Sequence, residues 1–306
     1  MKKTLLIGLV ALLAASPALA RTKIVFLMNR DDDKFVNILH DSIMAEAARD
    51  PDVDISVVYA GNDSATQVGQ AKTALAQKPD VVIALPVDEA SSTAIAQATA
   101  ASHTPLVYVN RRPSQERFDN DVAIVSSNDL VAGRLQMRLI ADKIGNAGNI
   151  VILRGENGHP AAIERTQGVK EILATKPGIK LLAEETGNWK RSEAERLVDG
   201  WLDAGQPINA IIANNDEMAL GAIASLQKHH IPPGKIAVAG VDGTADALAA
   251  IKSGYLTLSL LQNANAQGAQ ALADAKKFSA RQYAQLYDWV PYELIIPSNV
   301  QDYAGQ

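Results

Sequence analysis

The chain has 306 residues, of which 47% are hydrophobic and 5% aromatic, and its formal net charge is −5. This composition is typical of a globular protein long enough for two domains, and mild acidity without a basic block argues against a nucleic-acid partner. The sequence contains no cysteine, which excludes disulfides, thiol nucleophiles and Cys-ligated zinc or iron–sulfur centres.

The first twenty residues have the pattern of a secretory signal peptide. Lys2 and Lys3 precede an apolar run over residues 5–15, and residues 18–20 read Ala-Leu-Ala, a small-x-small cleavage site. The apolar run is too short to span a membrane, and no cysteine follows that could carry a lipid anchor. We therefore predict a mature chain that starts at Arg21 and is exported, most simply to a bacterial periplasm.

From Arg21 onward, short apolar strands alternate with amphipathic helices. The first array is predicted as strand 24–28, helix 35–49, strand 55–59, helix 64–77, strand 81–85, helix 89–101 and strand 106–109. The second array is predicted as helix 130–144, strand 150–153, helix 161–173, strand 179–183, helix 191–204, strand 210–213, helix 216–228 and strand 236–241. Continuous Val/Ile/Leu strands separated by helices are typical of parallel sheets covered on both faces.

Two consecutive arrays of similar size predict an α/β fold with two similar doubly wound parallel-sheet lobes. The remaining elements are helix 247–251, strand 256–260, helix 264–277 and an extended tail over residues 287–296. Such leftover elements suggest that the chain crosses back between the lobes. The predicted first lobe comprises residues 21–126 plus 263–289, and the second comprises residues 127–262 plus 290–306. Because no low-complexity linker separates them, we expect a structured hinge.

The stretch 149–165 organises the predicted site. It combines a buried strand, a glycine-rich turn over residues 155–158 and a helix that begins near Pro160, whose fixed φ suits a first helical turn. In a doubly wound sheet, ligands bind at the carboxyl ends of the strands. This turn therefore places His159 and Arg165 near the mouth of a crevice.

Other predicted strands also end in polar residues. These polar segments are 29–34, 110–112, 214–216, 242–243 and 262–263. Facing lobes would bring them into one cleft lined by carboxylates, amides and guanidinium groups. Such a cleft suits a small polyhydroxylated ligand, because each hydroxyl both donates and accepts hydrogen bonds. Phe35 and Trp189, beside these loops, are placed to cover the apolar faces of a ring.

Single residues in this set also have simpler interpretations. Asp33 and Asp216 each have the sequence context of a helix N-cap, and Arg165 fits an exposed helix position. Trp201, four residues after Leu197, is predicted to lie in the core. The recurrence of polar residues at strand ends nevertheless favours a binding site.

These motifs resemble those of the periplasmic monosaccharide-binding proteins of ABC importers, the galactose/glucose- and ribose-binding group of type I periplasmic binding proteins. The resemblance extends from about Lys23 almost to the C-terminus. It rests on the segments 32–35 (Asp-Asp-Lys-Phe), 109–114 (Val-Asn-Arg-Arg-Pro-Ser), 155–166, 214–222 and 240–243 (Gly-Val-Asp-Gly). Together these motifs are specific, although each alone is modest.

The resemblance implies roles for individual side chains. Seven polar residues match positions that bind sugar hydroxyls: Asp33, Asn110, Arg111, Arg165, Asn215, Asp242 and Gln262. Phe35 and Trp189 match the aromatic residues that sandwich the sugar ring, and His159 matches a ligand contact of the hexose binders.

Two departures from the family pattern affect the expected ligand. Similar hexose binders carry an acidic residue two positions after the matching histidine, where this chain has Ala161. The segment 144–149 is too short and too poor in carboxylates to match the calcium loop of the best-known hexose binder, because calcium takes six to eight oxygen ligands. We therefore predict no metal and no cofactor.

The predicted function is a solute-binding protein, not an enzyme, that closes on a hexose such as galactose or glucose, or on myo-inositol, with a pentose less favoured. Its predicted partners are that ligand and an ABC transporter permease, and we expect a monomer. The alternative is a ligand-sensing module for a chemoreceptor or sensor kinase. A sugar-responsive repressor would need a helix-turn-helix in place of residues 1–20, and the turn 155–158 matches neither glycine-rich nucleotide motif.

Overall fold

The computed structural model describes residues 21–304, so the predicted signal peptide lies outside the described residues. The first array consists of β1 (Thr22–Met28), α1 (Lys34–Ala48), β2 (Val53–Tyr59), α2 (Ser64–Ala76), β3 (Val81–Ala84), α3 (Glu89–Ala101), β4 (Leu106–Val109) and β5 (Val122–Ser126). The second consists of α4 (Asp129–Lys143), β6 (Gly148–Arg154), α5 (Pro160–Leu173), β7 (Ile179–Thr186), α6 (Arg191–Asp203), β8 (Ala210–Ala213), α7 (Asp216–Lys228), β9 (Ala237–Ala239), α8 (Ala245–Lys252) and β10 (Ser259–Leu261). The chain then forms α9 (Ala264–Ser279), β11 (Tyr287–Trp289), β12 (Glu293–Ile295) and a 3₁₀ turn (Val300–Tyr303).

The first sheet has the strand order β11-β5-β4-β3-β1-β2, and every neighbouring pair is parallel. Its central strands β3, β4 and β5 are buried at every position. Alternate residues of β1 pack on opposite faces: Phe26 contacts the cluster formed with α1 and α9, and Leu27 contacts the cluster formed with α2 and α3. Both faces are covered by helices, which explains the uninterrupted apolar strands.

The second sheet repeats this scheme. Strands β7-β6-β8-β9 are parallel, and the Asp242 amide extends the sheet by donating to the Leu260 carbonyl at 2.8 Å. Strand β12 then pairs antiparallel with β10. If the strands of each lobe are numbered along the chain, both lobes have the spatial order 2-1-3-4-5-6. The sixth strand is β11 in the first lobe, where it runs parallel to its neighbour, and β12 in the second lobe, where it runs antiparallel.

The chain passes between the two sheets three times: after β5, between β10 and α9, and between β11 and β12. Helix α9 packs against α1 although it follows the strands of the second sheet. The predicted fold class, an α/β fold with parallel sheets in two lobes, is confirmed.

Several predicted elements needed correction. The strand β5 was not predicted, because it is a short run that follows a long irregular polar segment. The predicted extended tail is broken at Pro291 into β11 and β12, which belong to different sheets. The predicted strand 256–260 shortens to β10, and the predicted helix 247–251 lengthens to α8.

Within residues 21–304, the helices are all too short or too polar to cross a lipid bilayer.

Helices α4 and α5 approach each other closely through two glycines. A Cβ at Gly133 would lie 1.9 Å from the Arg165 carbonyl oxygen, and one at Gly168 would lie 2.2 Å from the Leu130 carbonyl oxygen. Because these obstacles are backbone atoms, a side chain at either position must push the helices apart. The contact matters for the cleft, because α5 carries His159 at its start and Arg165 nearly two turns later.

We expect Gly133→Ala to lower the free energy of unfolding by about 1–3 kcal/mol through overpacking. The control is Gly69→Ala in α2, where a Cβ would meet nothing within 4 Å, so that the better helix propensity of alanine stabilises by up to about 1 kcal/mol. Urea denaturation measures both. Equal effects of the two substitutions would contradict the close α4–α5 contact.

Candidate functional site

A cleft opens where the carboxyl ends of the strands of both sheets meet, with about 490 Å³ of empty space that includes the solvent at its mouth. The structure brings together all ten predicted site residues, which line the cleft: Asp33, Phe35, Asn110, Arg111, His159, Arg165, Trp189, Asn215, Asp242 and Gln262. Ala161 lines it too, so no carboxylate occupies the position at which the sequence departs from the hexose binders. Ligand contacts of these residues stay a prediction.

Three helices direct their N-termini at the cleft. Asp33 caps α1 by accepting from the Val36 amide at 3.0 Å, and Asn215 caps α7 by accepting from the Met218 amide at 3.0 Å. His159 caps α5, its Nδ1 accepting from the Ala161 amide at 3.1 Å. The capping interpretation of Asp33 is therefore correct, and it is compatible with a place in the cleft. The caps fix these side chains in position, and the positive ends of the helix dipoles favour electron-rich ligand oxygens.

Three cleft residues have left-handed backbone conformations. The φ angles are 65° at Asn110, 64° at Trp189 and 125° at Asp242. Such angles are unusual for a bulky residue such as tryptophan and store strain that the surrounding structure must hold. Trp189 is held against Gly155, where a Cβ would lie 2.0 Å from the indole ring. A strained backbone thus aims these three side chains.

Several buried donors that belong to cleft residues are unsatisfied. Asn29 Nδ2, Arg111 Nε and Trp189 Nε1 have no hydrogen-bond partner among the described residues. An unsatisfied buried donor costs about 1–3 kcal/mol. Ligand oxygens are the natural acceptors for such donors, so the cleft is chemically suited to a hydroxyl-rich molecule.

Burial shifts the titration of the charged cleft residues. It raises the pKa of Asp33, raises the pKa of Asp242 well above its usual range against the opposing effect of Arg165, and lowers the pKa of Arg111 to about 10. Burial, reinforced by three nearby arginines, holds the pKa of His159 well below its usual range. His159 is therefore neutral at pH 7, and because Nδ1 accepts from a backbone amide, the proton is on Nε2.

Asp216 does not cap α7, which corrects the interpretation from sequence. Asn215 is the cap, and the fully buried Asp216 carboxylate accepts from Ser259 Oγ at 2.7 Å and from the Thr244 amide at 2.8 Å. Burial raises its pKa to about 7. Asp216 thereby joins the loops that follow β9 and β8, and it lies close enough to raise the pKa of Asp242.

Arg165 is buried, with 4% of its surface exposed, so its interpretation as an exposed helix residue is wrong. Its Nε donates to Asp129 Oδ1 at 2.7 Å, and its Nη2 donates to Gln262 Oε1 at 2.5 Å and to the Tyr292 hydroxyl at 2.9 Å. Its Nη1 donates to the Asn214 carbonyl at 2.6 Å. Four of the five guanidinium N–H groups are thus engaged within the protein.

The three acceptor side chains around Arg165 lie at or beside the three segments that cross between the sheets. Asp129 begins α4, Gln262 follows β10, and Tyr292 lies between β11 and β12. The Tyr292 hydroxyl also donates to Asp129 Oδ1 at 2.6 Å. Arg165 therefore links, through hydrogen bonds, the three segments that pass between the sheets at the edge of the cleft.

Several residues of this region were not predicted from the sequence. Asn29 and Arg30 line the cleft, and their place in a polar strand-end segment was the signal that could have identified them. Arg30 Nη1 donates to Glu156 Oε1 at 2.6 Å, which joins the two lobes across the cleft. No sequence pattern identified Asp129 or Tyr292 as site residues. Asp129 looks like an ordinary acidic residue in the first turn of a helix, and Tyr292 lies in the predicted extended tail.

Within residues 21–304, no group of three or more His, Asp or Glu side chains is arranged to hold a metal ion.

Residues 24–281 match the model of the periplasmic binding protein domain. The chain is 34% identical, over 307 aligned positions that cover 99% of both chains, to a putative rhizopine-binding protein from Rhizobium meliloti. It superposes on an ABC transporter solute binding protein from Bacillus halodurans C-125 with bound myo-inositol, with a TM-score of 0.88, 35% identity and coverage of 93% of this chain and 98% of that chain. The Caulobacter myo-inositol binding protein bound to myo-inositol gives a TM-score of 0.85 at 25% identity, covering 94% and 97%.

The raised pKa of Asp216 has a consequence for stability. Between the ordinary pKa of 3.8 and about 7, the folded protein keeps a proton that the unfolded chain releases. The free energy of unfolding therefore falls as pH rises through this window, by about 1.4 kcal/mol per pH unit from this group at most, and levels off above it.

We expect Asp216→Asn to remove this contribution while the titration of Asp242 remains in both proteins. Denaturant unfolding of wild type and variant at intervals from pH 4 to pH 8 measures the difference. Two curves that run parallel over the whole range would show that Asp216 is ionised throughout.

Proposed function

The chain belongs to the periplasmic binding protein family, and we propose that it captures a monosaccharide or cyclitol between its two lobes and delivers it to the permease of an ABC transporter. The observation that carries this proposal is the cleft itself. Buried carboxylates, amides, guanidinium groups and two aromatic rings converge on it from both sheets. This donor and acceptor set matches a ring that carries hydroxyl groups in several directions.

Within this class we propose myo-inositol as the first ligand to test, with galactose and glucose next. myo-Inositol carries a hydroxyl on every ring carbon, so it needs polar partners around its whole circumference. The unsatisfied donors of Asn29, Arg111 and Trp189, together with the carboxylates of Asp33 and Asp242, offer such partners. Ala161 leaves the wall near His159 without the acidic residue of the similar hexose binders, and two related structures hold myo-inositol.

For the closing motion we propose the lobes predicted from sequence, residues 21–126 plus 263–289 and residues 127–262 plus 290–306. These boundaries are supported by the three crossings between the sheets. The free protein would sample open and closed forms, and a ligand that contacts both lobes would favour the closed form. The crossings would then act as the hinge.

We further propose that residues 1–20 direct export to the periplasm and are removed, and that the mature protein acts as a monomer without catalytic activity. A binding role is supported by the cleft lining, whose carboxylates, amides and guanidinium groups suit hydrogen bonds to hydroxyl groups. N-terminal sequencing of the exported protein tests the cleavage.

A thermal-shift panel of myo-inositol, galactose, glucose, ribose, xylose and arabinose tests the ligand. A ligand at 100 times its dissociation constant adds about 2.7 kcal/mol of stability, so we expect a clear rise in melting temperature with myo-inositol. A response to galactose or glucose alone would keep the function and replace the ligand. A flat response to every compound would contradict a sugar or cyclitol ligand.

Asp33 is both a helix cap and a cleft carboxylate, and a matched variant separates these roles. We expect Asp33→Ala to weaken binding of the best ligand of the panel at least tenfold, since a charge-assisted hydrogen bond is lost. Asp63 caps α2 in the same way, accepting from the Thr66 amide at 2.6 Å, and lies away from the cleft. Each substitution should cost about 1 kcal/mol of stability as a lost cap, but Asp63→Ala should leave affinity unchanged in isothermal titration calorimetry.

A further inference from the structure

An ion pair outside the cleft joins the two lobes. The Arg112 guanidinium, in the loop after β4, donates to the Glu164 carboxylate on α5. Neither residue lines the cleft. Their sequence neighbours do, because Arg111 precedes one and Arg165 follows the other. The pair therefore connects, from outside, the two backbone segments that carry these arginines into the cleft.

The surroundings of this pair favour a defined contact over a loose surface pair. The side chains of Arg112 and Glu164 are 37% and 27% exposed. The Arg112 guanidinium carbon lies 5.7 Å from the centroid of the Trp289 ring, within cation–π range. Trp289 in turn stacks on Tyr287, with 5.7 Å between ring centroids and 3° between ring planes. The arginine is therefore oriented by its own lobe before it meets the glutamate of the other.

We propose that Arg112 and Glu164 form a latch that stabilises the closed form and so slows ligand release, without contacting the ligand. Arg112 and Trp289 belong to elements of the first sheet, and Glu164 belongs to a helix of the second, so the pair separates when the lobes open. An interaction present only in the closed form raises affinity by the amount that it favours closure. Loss of the ion pair is therefore expected to raise the rate at which the ligand dissociates.

This inference rests on the proposed function, because it supposes a ligand that is held by closure. It adds two positioning residues that lie outside the binding cleft. The cross-cleft contact between Arg30 and Glu156 is less suited to a test, because Arg30 also lines the cleft and its replacement would alter the ligand environment.

The test measures dissociation of myo-inositol, or of the ligand found by the panel, by stopped-flow tryptophan fluorescence. We expect Glu164→Gln and Arg112→Gln each to raise the dissociation rate by about two- to fivefold, the range for partly exposed ion pairs. The association rate should stay within twofold of wild type. The reversed pair, Arg112→Glu with Glu164→Arg, should recover most of the loss, although the contact of the cation with Trp289 is not restored.

The same helix supplies a matched control. Glu171 on α5 pairs with Arg134 on α4 at 2.6 Å, with side chains 34% and 37% exposed, but both residues belong to the second lobe. Glu171→Gln removes a comparable ion pair from the same helix without affecting the lobe interface. It should leave the dissociation rate unchanged. Equal effects of Glu164→Gln and Glu171→Gln, or a reversed pair no better than the worse single variant, would overturn the latch.

A ligand-free measurement keeps the proposal testable if no compound in the panel binds. The chain has no cysteine, so Lys72→Cys and Lys252→Cys, on exposed positions of α2 and α8, would carry the only two spin labels. Distances between the labels, measured by double electron–electron resonance, report the balance of open and closed forms. Glu164→Gln should reduce the closed fraction and Glu171→Gln should not. Identical distributions for both variants and the doubly labelled parent would refute the latch independently of the ligand.

Discussion

The structure of the cleft depends on one buried guanidinium group, that of Arg165. It is hydrogen-bonded to Asp129, Gln262 and Tyr292, which lie at or beside the three segments that connect the lobes. Removing one partner of a buried ion pair usually costs about 3–5 kcal/mol, because the other charge stays buried without compensation. Arg165 therefore holds the three segments between the lobes together, and its Nη1 lies 4.0 Å from Asp242 Oδ1.

Several features of the cleft around Arg165 lower the stability of the ligand-free protein. Positive φ angles at Trp189 and Asp242 store backbone strain, and donors of Asn29 and Arg111 are buried without acceptors. Burial also raises the pKa of the cleft carboxylates. Ligand hydroxyl groups would supply acceptors for these donors and hydrogen-bond partners for the carboxylates, and so would favour the closed form in the proposed mechanism.

In the proposed function, capture and release depend on a small difference in free energy between the open and closed forms. A ligand shifts an equilibrium between open and closed forms only by the difference in its affinity for the two forms. Contacts between the lobes that lie outside the cleft, such as the proposed latch of Arg112 with Glu164, would adjust the starting point of this balance. In the proposed mechanism, the cleft residues would decide which ligand is held, and the pair of Arg112 with Glu164 would affect how long it is held.

The sequence by itself determined the α/β class and the two arrays, because strand periodicity is a local pattern. Polar strand ends located the cleft, since the carboxyl ends of parallel strands meet at one edge, and the resemblance to the sugar-binding family selected the ten cleft residues. Only the tertiary structure decided that Asp216 is buried beneath the site and that Tyr292 bonds to Asp129 across 163 positions of the chain. The contacts of Arg112 with Glu164 and of Arg30 with Glu156 were also visible only in the tertiary structure. Local periodicity carries information about a residue's own helix or strand, whereas these contacts depend on how two separately folded lobes face each other.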